Sequence, residues 1–390
     1  MSKLEELIQQ YCPDGVEWKS LGEATIMKRG TSATKGVMQE GDIPVISGGK
    51  QPAFYCNVSN RTGEVITVAG SGAGAGYVQY WNEPIFVCDA FSIQGNETLK
   101  TKYVYYVLTS IQEKIYSTKK GGGVPHVHIS SIDKFEIPVP PLPVQEEIVR
   151  ILDTFTELQA ELQAELQKRK QQYNYYLDNL LSFNRGGYQT EVRWMKMSEV
   201  FDIRNGYTPS KANKEFWDGG TIPWYRMEDI RQNGRILSDS ILHITPKAIK
   251  GKGLFKANSF IIATTATIGE HALIIADSLA NQQFTNLSIR KSLENELSVK
   301  FFYYYLFVVD KWCKTNTNIS NFASVDMSKF NNLLIPIPSM EKQNRIVSIL
   351  DRFDHLTNDL SSGLPAEMEK RRQQYEYYRD KLLSFKRKGA

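Results

Sequence analysis

The chain has 390 residues, 41% hydrophobic and 11% aromatic, which supports real cores and argues against a disordered chain. Lys+Arg 47 against Asp+Glu 43 leaves a net charge of only +4, so any nucleic-acid affinity must come from local patches. Cys12, Cys56, Cys88 and Cys313 form no CxxC pair and read as free thiols of a reducing compartment. No signal peptide and no long apolar run is present, so a soluble intracellular protein with no membrane contact is expected.

In chain order, the first half reads as β-rich. Gly63–Gln94 shows short apolar runs broken by Gly, Asn and Pro. Within it, Gly70–Gly76 (GSGAGAG) invites a dinucleotide-binding reading. That fingerprint must open a helix, and here it runs into the strand-like YVQYW. A glycine-rich turn is expected instead, loose enough for backbone to approach DNA. Lys102–Ser117 then reads as a short helix, and Lys114–His128 holds three lysines and two histidines with no acid.

The prolines of PVPPLP end the preceding strand, because proline lacks the donor a ladder needs. From Val144 to Phe183 a helix is expected. Ile148, Ile151, Phe155, Leu158, Leu162 and Leu166 recur at spacings of three and four, a coiled-coil seam, with Tyr173, Tyr176 and Leu180 extending it. The second half repeats the plan: a β-rich stretch at Asn258–Ile289, a helix at Val299–Lys314, and a long helix over Gln343–Phe385. Its seam is Ile346, Ile349, Phe353, Leu356 and Leu360, with a break expected at SSGLP (Ser361–Pro365).

The two halves are copies. IPVPPLPVQEEIVRILDTF (Ile137–Phe155) returns as IPIPSMEKQNRIVSILDRF (Ile335–Phe353), and KRKQQYNYYLDNLLSF (Lys168–Phe183) as KRRQQYEYYRDKLLSF (Lys370–Phe385). Trp18 matches Trp194 at an offset of 176, Ile148 matches Ile346 at 198, and Tyr173 matches Tyr375 at 202. The second globular part is therefore longer by 22 residues and the second helical part by four. Close helical copies with diverged globular parts suit one frame carrying two readers of paired half-sites.

Catalytic signatures are missing: there is no GxxxxGK[ST], no GxSxG, no [DNS]PP[YFW] and no clear nuclease carboxylate cluster. His126 and His128 lack neighbouring ligands for a metal. No catalytic, cofactor-binding or metal-ligating residue is assigned. Basic and aromatic loop residues are the candidates for DNA contact. In the first half these are Lys28, Arg29, Lys35, Lys50, Arg61, Lys119, Lys120, His126 and His128; in the second, Arg204, Tyr207, Lys211, Lys214, Arg226, Lys247, Lys250 and Lys252.

EWKSLGE, the Gly206–Trp224 segment GYTPSKANKEFWDGGTIPW, the IPVP…QEEIVRILDTF helix and QYEYYRDKLLSF together resemble the specificity subunit of type I restriction–modification systems along essentially the whole chain. The resemblance implies an α+β fold. Two pseudo-twofold-related target recognition domains (1–141 and 186–338) alternate with two helical spacers (142–185 and 339–390) that form an antiparallel coiled coil. It implies a non-catalytic chain in which each domain reads one half of a bipartite double-stranded DNA target. Two modification subunits, which methylate adenine with S-adenosylmethionine, dock on it, and restriction subunits can join. A cytoplasmic setting in a bacterium or archaeon follows. TELQAELQAELQ (Thr156–Gln167) resembles the tetrapeptide repeats that set half-site spacing in some members. Two other readings stay open: a coiled-coil scaffold that binds only proteins, and a fused methyltransferase.

Overall fold

Early in each half lies a strand whose tryptophan faces a proline far along the chain. Glu17–Ser20 pairs antiparallel with Glu136–Val139, Trp18 opposite Pro138. Arg193–Lys196 pairs with Leu334–Ile337 in the same register, Trp194 opposite Pro336. Both ladders have two strands, so the prolines lie on edges where the missing donor costs nothing. The computed structural model describes residues 2–33, 35–36, 38–121, 123–183, 192–318, 323–359 and 362–389.

The chain divides into two units, Met1–Glu165 with Ala366–Ala390, and Leu166–Pro365. In unit 1 an antiparallel sheet runs in the order Ile26–Arg29, Ala90–Gln94, Val65–Ala69, Val78–Trp81. A second sheet joins Phe54–Cys56, Ile43–Ile46 and Phe86–Val87, the last pair parallel. Unit 2 repeats both. Phe201–Asn205, Phe284–Ile289, Ser259–Ala263 and His271–Ile274 form its larger sheet, and His243–Ile244, Ile222–Tyr225 and Leu279–Ala280 its smaller one. The helix Met227–Asn233 and the strand Ile236–Leu237, a fifth member of the larger sheet, belong to the longer second half.

Against each larger sheet lies one helix: Thr101–Ser110 in unit 1 and Val299–Thr315 in unit 2. Unit 1 buries Ile66, Val68 and Ile93 of the sheet with Tyr103, Val104 and Val107 of the helix. Unit 2 buries Phe260, Ile262 and Leu287 with Phe301, Phe302 and Tyr304. Apolar area removed from water here, at about 25 cal/mol per Å², is the main stabilising term.

The first long helix runs unbroken from Leu142 to Leu180. The second is two helices, Met340–Asn358 and Leu364–Leu382. The expected break is present. A side chain at Gly363 would meet the His355 carbonyl at 2.5 Å, and Pro365 sits in the first turn of the new helix, where its missing N–H is unneeded. Leu360 and Ser361 lie outside the described residues.

Both units borrow from both helical segments. Unit 1 packs Val144, Ile148 and Leu152 with Leu383, Leu382 and Tyr375. Unit 2 packs Ile346 and Leu350 with Tyr173, Leu177 and Leu181. The helices run antiparallel within each unit. In unit 1 the Phe155 ring lies on Tyr378, centroids 5.5 Å apart, while Gln159 Nε2 donates to the Arg371 carbonyl. In unit 2 Tyr176 lies on Phe353 at 5.1 Å, while the Lys342 ammonium sits over Phe183.

The seam differs in detail from the expected one. Ile148 and Leu166 are buried and Ile151, Phe155 and Leu162 half-buried, but Leu158 is 41% exposed. Leu152, outside the expected seam, is fully buried. In the second copy Ile346 is buried, Ile349, Phe353 and Leu356 are half-buried, and Leu350, also outside the seam, is fully buried. The reason is that each helix serves two surfaces. The 144–148–152 row faces the globular part and the 151–155 row faces the other helix, so a single stripe captures only one.

Candidate nucleic-acid interface

In unit 1 the Gly70–Gly76 stretch is the turn between the antiparallel strands Val65–Ala69 and Val78–Trp81, as expected. A Cβ at Gly74 would meet the Gly48 carbonyl at 2.4 Å, so only glycine lets these two backbones touch. The Val127 N–H donates to the Gly70 carbonyl at 3.0 Å, Ser71 bridges His126, and Lys120 and His126 exchange backbone hydrogen bonds at 3.0 and 2.8 Å. The Lys50 ammonium lies over Tyr77, and that of Lys119 over Tyr116, at 5.1 and 4.1 Å from the ring centroids. The imidazoles of His126 and His128 stack at 5.9 Å. Lys50, Lys119, Lys120, His126 and His128 are thus brought together around one turn.

The remaining candidates of the first half are elsewhere. Lys28 and Arg29 are exposed on the edge strand Ile26–Arg29, and Lys35 is exposed in the loop that follows. Arg61 has a different task. Its Nε donates to Ser92 Oγ at 2.7 Å, Nη1 to the Asn60 carbonyl at 2.7 Å and Nη2 to the Arg29 carbonyl at 2.8 Å. Burial lowers its pKa. The guanidinium braces the sheet edge.

Unit 2 builds the same tip with other residues. The turn after Ser259–Ala263 has Val325 N–H donating to the Thr264 carbonyl at 2.8 Å and Thr265 bridging Ser324. Ala266 stands there with φ +61, and Gly269 with φ +75. Lys250 and Lys252 are exposed on a loop that two other candidates hold in place. Arg204 donates to the carbonyls of Lys252 and Gly253, at 2.8 and 3.3 Å, and lies over Phe255. Tyr207 Oη donates to the Ala248 carbonyl and accepts from Lys250 N–H, each at 2.9 Å. Lys247 pairs with Glu215 at 3.2 Å. Lys211 and Lys214 are exposed beside Trp217, and Arg226 is half-buried with Nε 3.9 Å from Glu228.

A second turn lies against each tip, and no charge pattern marks it. In unit 1 it is Cys88–Asp89, and in unit 2 Asn281–Gln283. Gly70 N–H donates to the Asp89 carbonyl at 3.0 Å, and Thr264 N–H to the Gln283 carbonyl at 2.9 Å. The signal available in sequence is a shift of register. Val87 corresponds to Ala280 and Ile93 to Leu287, offsets of 193 and 194, so the second turn is longer by one residue.

Two copies of one frame, each ending in a differently furnished turn, match a known family. The description "Type I restriction modification DNA specificity domain" fits residues 13–169 and 190–370. The chain belongs to the type I restriction–modification specificity family. It is 35% identical to the EcoR124I/EcoR124II specificity subunit of Escherichia coli, over 99% of this chain and 97% of that one. The Escherichia coli EcoprrI specificity subunit is 53% identical, over 50% of this chain and 51% of the relative, so that likeness spans about half its length. The solved S subunit of a type I system from M. genitalium shares the fold with a TM-score of 0.58 at 19% identity, over 94% and 95% of the two chains. As a specificity subunit it carries two family domains in one α+β chain. Among the described residues no helix is long and apolar enough to cross a membrane.

Proposed function

We propose that this specificity subunit binds double-stranded DNA sequence-specifically within a type I assembly, each unit reading one half of a bipartite target. One observation carries the reading. The frame is duplicated down to single hydrogen bonds, while the two tips differ in residue type and length. Lysines beside the tips supply phosphate contact and register, and polar groups at base edges supply sequence. The unbroken helix Leu142–Leu180, about 60 Å long, sets the gap between half-sites, with Thr156–Gln167 as the adjustable stretch.

The chain has no chemistry of its own in this reading. Two modification subunits carry S-adenosylmethionine and methylate adenine, and restriction subunits join them. Two docking positions are supported by an exposed tyrosine repeated at offset 202: Tyr175 is 65% exposed and Tyr377 63%. Exposed aromatics of this kind are common interface anchors. The setting is the cytoplasm of a bacterium or archaeon.

Replacing residues 188–334 with those of a relative tests the reading. Sequencing of methylated adenines in host DNA should show one half of the motif changed and the other intact. A change in both halves sinks independent readers. No motif at all, with the complex assembled, favours a protein-only scaffold. S-adenosylmethionine bound by the isolated chain favours a methyltransferase.

A further inference from the structure

The turns Cys88–Asp89 and Asn281–Gln283 occupy one place in two copies of one sheet. Each leaves a short strand that pairs parallel with its neighbour, Phe86–Val87 with Ile43–Ile46 and Leu279–Ala280 with Ile222–Tyr225. Each enters an inner strand of the larger sheet, Ala90–Gln94 or Phe284–Ile289. Each rests on a glycine that cannot be replaced. A Cβ at Gly30 would meet the Cys88 carbonyl at 2.0 Å, and one at Gly206 would meet the Asn281 carbonyl at 2.2 Å. Gly30 and Gly206 stand at the repeat offset of 176, and their N–H groups donate to the Ala90 and Phe284 carbonyls at 2.9 and 2.8 Å. The turn backbones are therefore held at fixed points, while their length and the side chains they present differ.

What they present is polar, exposed and oriented. The Asp89 side chain accepts a hydrogen bond from Ser71 Oγ, and that of Gln282 from Thr208 Oγ1. Both Asp89 and Gln282 are exposed. In the longer turn, Asn281 and Gln283 tie each other down: Asn281 Nδ2 donates to Gln283 Oε1 at 3.2 Å and Gln283 N–H to Asn281 Oδ1 at 3.0 Å. Gln282 is left facing outward. A carboxylate placed beside the turn that gathers Lys50, Lys120 and His126 does not help phosphate binding, since it repels the backbone those cations attract. An acceptor at that place suits a base edge better than a phosphate.

We propose that Asp89 and Gln282 are the base-reading side chains of the two half-sites, a deepening of the recognition role proposed above. An ionised Asp accepts only, so it selects a base that offers an amino group at the major-groove edge, cytosine N4 being the usual partner. A Gln amide both donates and accepts, and suits the N6/N7 edge of adenine. Unit 1 then specifies a cytosine and unit 2 an adenine at one position of its own half-site. Ser71 and Thr208 are positioning residues that orient these groups.

The test uses the full chain assembled with its modification subunit and a pool of randomised duplex DNA, with bound sequences counted. Asp89→Asn keeps an oxygen for Ser71, so the turn survives, and should lower the preference at one position of one half-site by about 5- to 150-fold. Asp89→Ser is the second variant, with the same expected position. Gln282→Ala should relax one position in the other half-site only. Lys120→Ala should weaken every sequence alike. A wild-type bipartite motif that is unchanged in Asp89→Asn, Asp89→Ser and Gln282→Ala, or merely weaker throughout, overturns the assignment. A wild-type pool with no bipartite motif overturns the recognition reading beneath it.

Discussion

Gln145 and Gln343, 198 residues apart, make the same three hydrogen bonds. Gln145 Oε1 accepts from Lys100 N–H at 2.8 Å, and its Nε2 donates to the Thr98 and Pro140 carbonyls at 2.9 and 2.7 Å. Gln343 Oε1 accepts from Ser298 N–H at 2.8 Å, and its Nε2 donates to the Glu296 and Pro338 carbonyls at 2.9 and 2.8 Å. Both side chains are fully buried. Each ties the start of a long helix to the strand before it and to the helix on the sheet. Gln145→Ala leaves one donor and two acceptors unmade, at a cost of about 2–4 kcal/mol, and Gln343→Ala the same in unit 2. Hydrogen exchange, followed separately in each unit, should show protection lost only in the unit that carries the substitution. A loss under about 0.5 kcal/mol, the size of an ordinary surface change, would count against this role.

Phe155 on Tyr378 and Phe353 on Tyr176 are the same contact in two units, with centroids 5.5 and 5.1 Å apart and interplanar angles of 24° and 27°. Offset stacks of this kind are worth about 0.5–1.5 kcal/mol beyond burial. Double-mutant cycles over Phe155→Leu with Tyr378→Leu, and over Phe353→Leu with Tyr176→Leu, should return two similar coupling energies in that range. A zero in either cycle would show that the repeat of geometry is not a repeat of energy.

Glu147 is 4% exposed and carries the charge balance of the helix start in unit 1. Arg150 donates to it from Nε and Nη2 at 3.0 and 2.6 Å, and Lys3 lies 3.0 Å away. These bonds, Arg150 first, outweigh burial and lower its pKa from 4.5 to about 2. A depressed folded pKa stabilises above the unfolded value and is lost as pH falls through the folded one. Wild type should therefore lose stability between pH 4.5 and about 2 faster than Glu147→Gln, which is the weaker of the two at neutral pH. Urea midpoints measured down that range check it, and parallel curves would rule it out.

Lys250 and Lys252 are exposed, whereas Lys247 is paired with Glu215. Lys250→Ala and Lys252→Ala should each reduce the salt dependence of DNA binding by about one unit of log–log slope. Lys247→Ala should change it less, because Glu215 already offsets that charge. Equal slopes in all three variants and wild type would make this loop mere solvated surface.

Inserting another AELQ after Gln167 lengthens the helix by about 6 Å and turns it by about 40° past a full turn. The helical stripe nearly keeps its face. The half-sites should stay the same and the gap should grow by about one base pair, two at the limit, at 3.4 Å per pair. Insertion of two or three residues should destabilise the subunit instead. Methylome sequencing decides: an unaltered gap from a folded, active complex excludes the ruler.

Much of the architecture was legible because it was written twice. Offsets at Trp18, Ile148 and Tyr173 marked the frame, and the sheet registers at Trp18–Pro138 and Trp194–Pro336 follow it. The Gly-rich turn and the break before Pro365 were also legible, since glycine and proline act through backbone geometry. Leu152 and Leu350 were not, because periodicity gives one face and these helices have two. Nor was the task of Arg61, Arg204 and Tyr207. A basic or aromatic residue in a loop looks the same in sequence whether it points at solvent or at its own backbone carbonyls. Asp89 and Gln282 were invisible to a search for positive charge.

Unit 2 is a continuous stretch, Leu166–Pro365, set inside a unit 1 that is not. Unit 1 takes Leu383 into its core, and its Val16 exchanges hydrogen bonds with Lys386 and Lys388, each at 2.9 Å. During synthesis, therefore, the last residue of unit 2, Pro365, is made before the Ala366–Ala390 part of unit 1. Until then the core of unit 1 lacks Leu383, and Val16 lacks its partners Lys386 and Lys388. A chain cut short before residue 366 holds every residue of unit 2 and an incomplete unit 1.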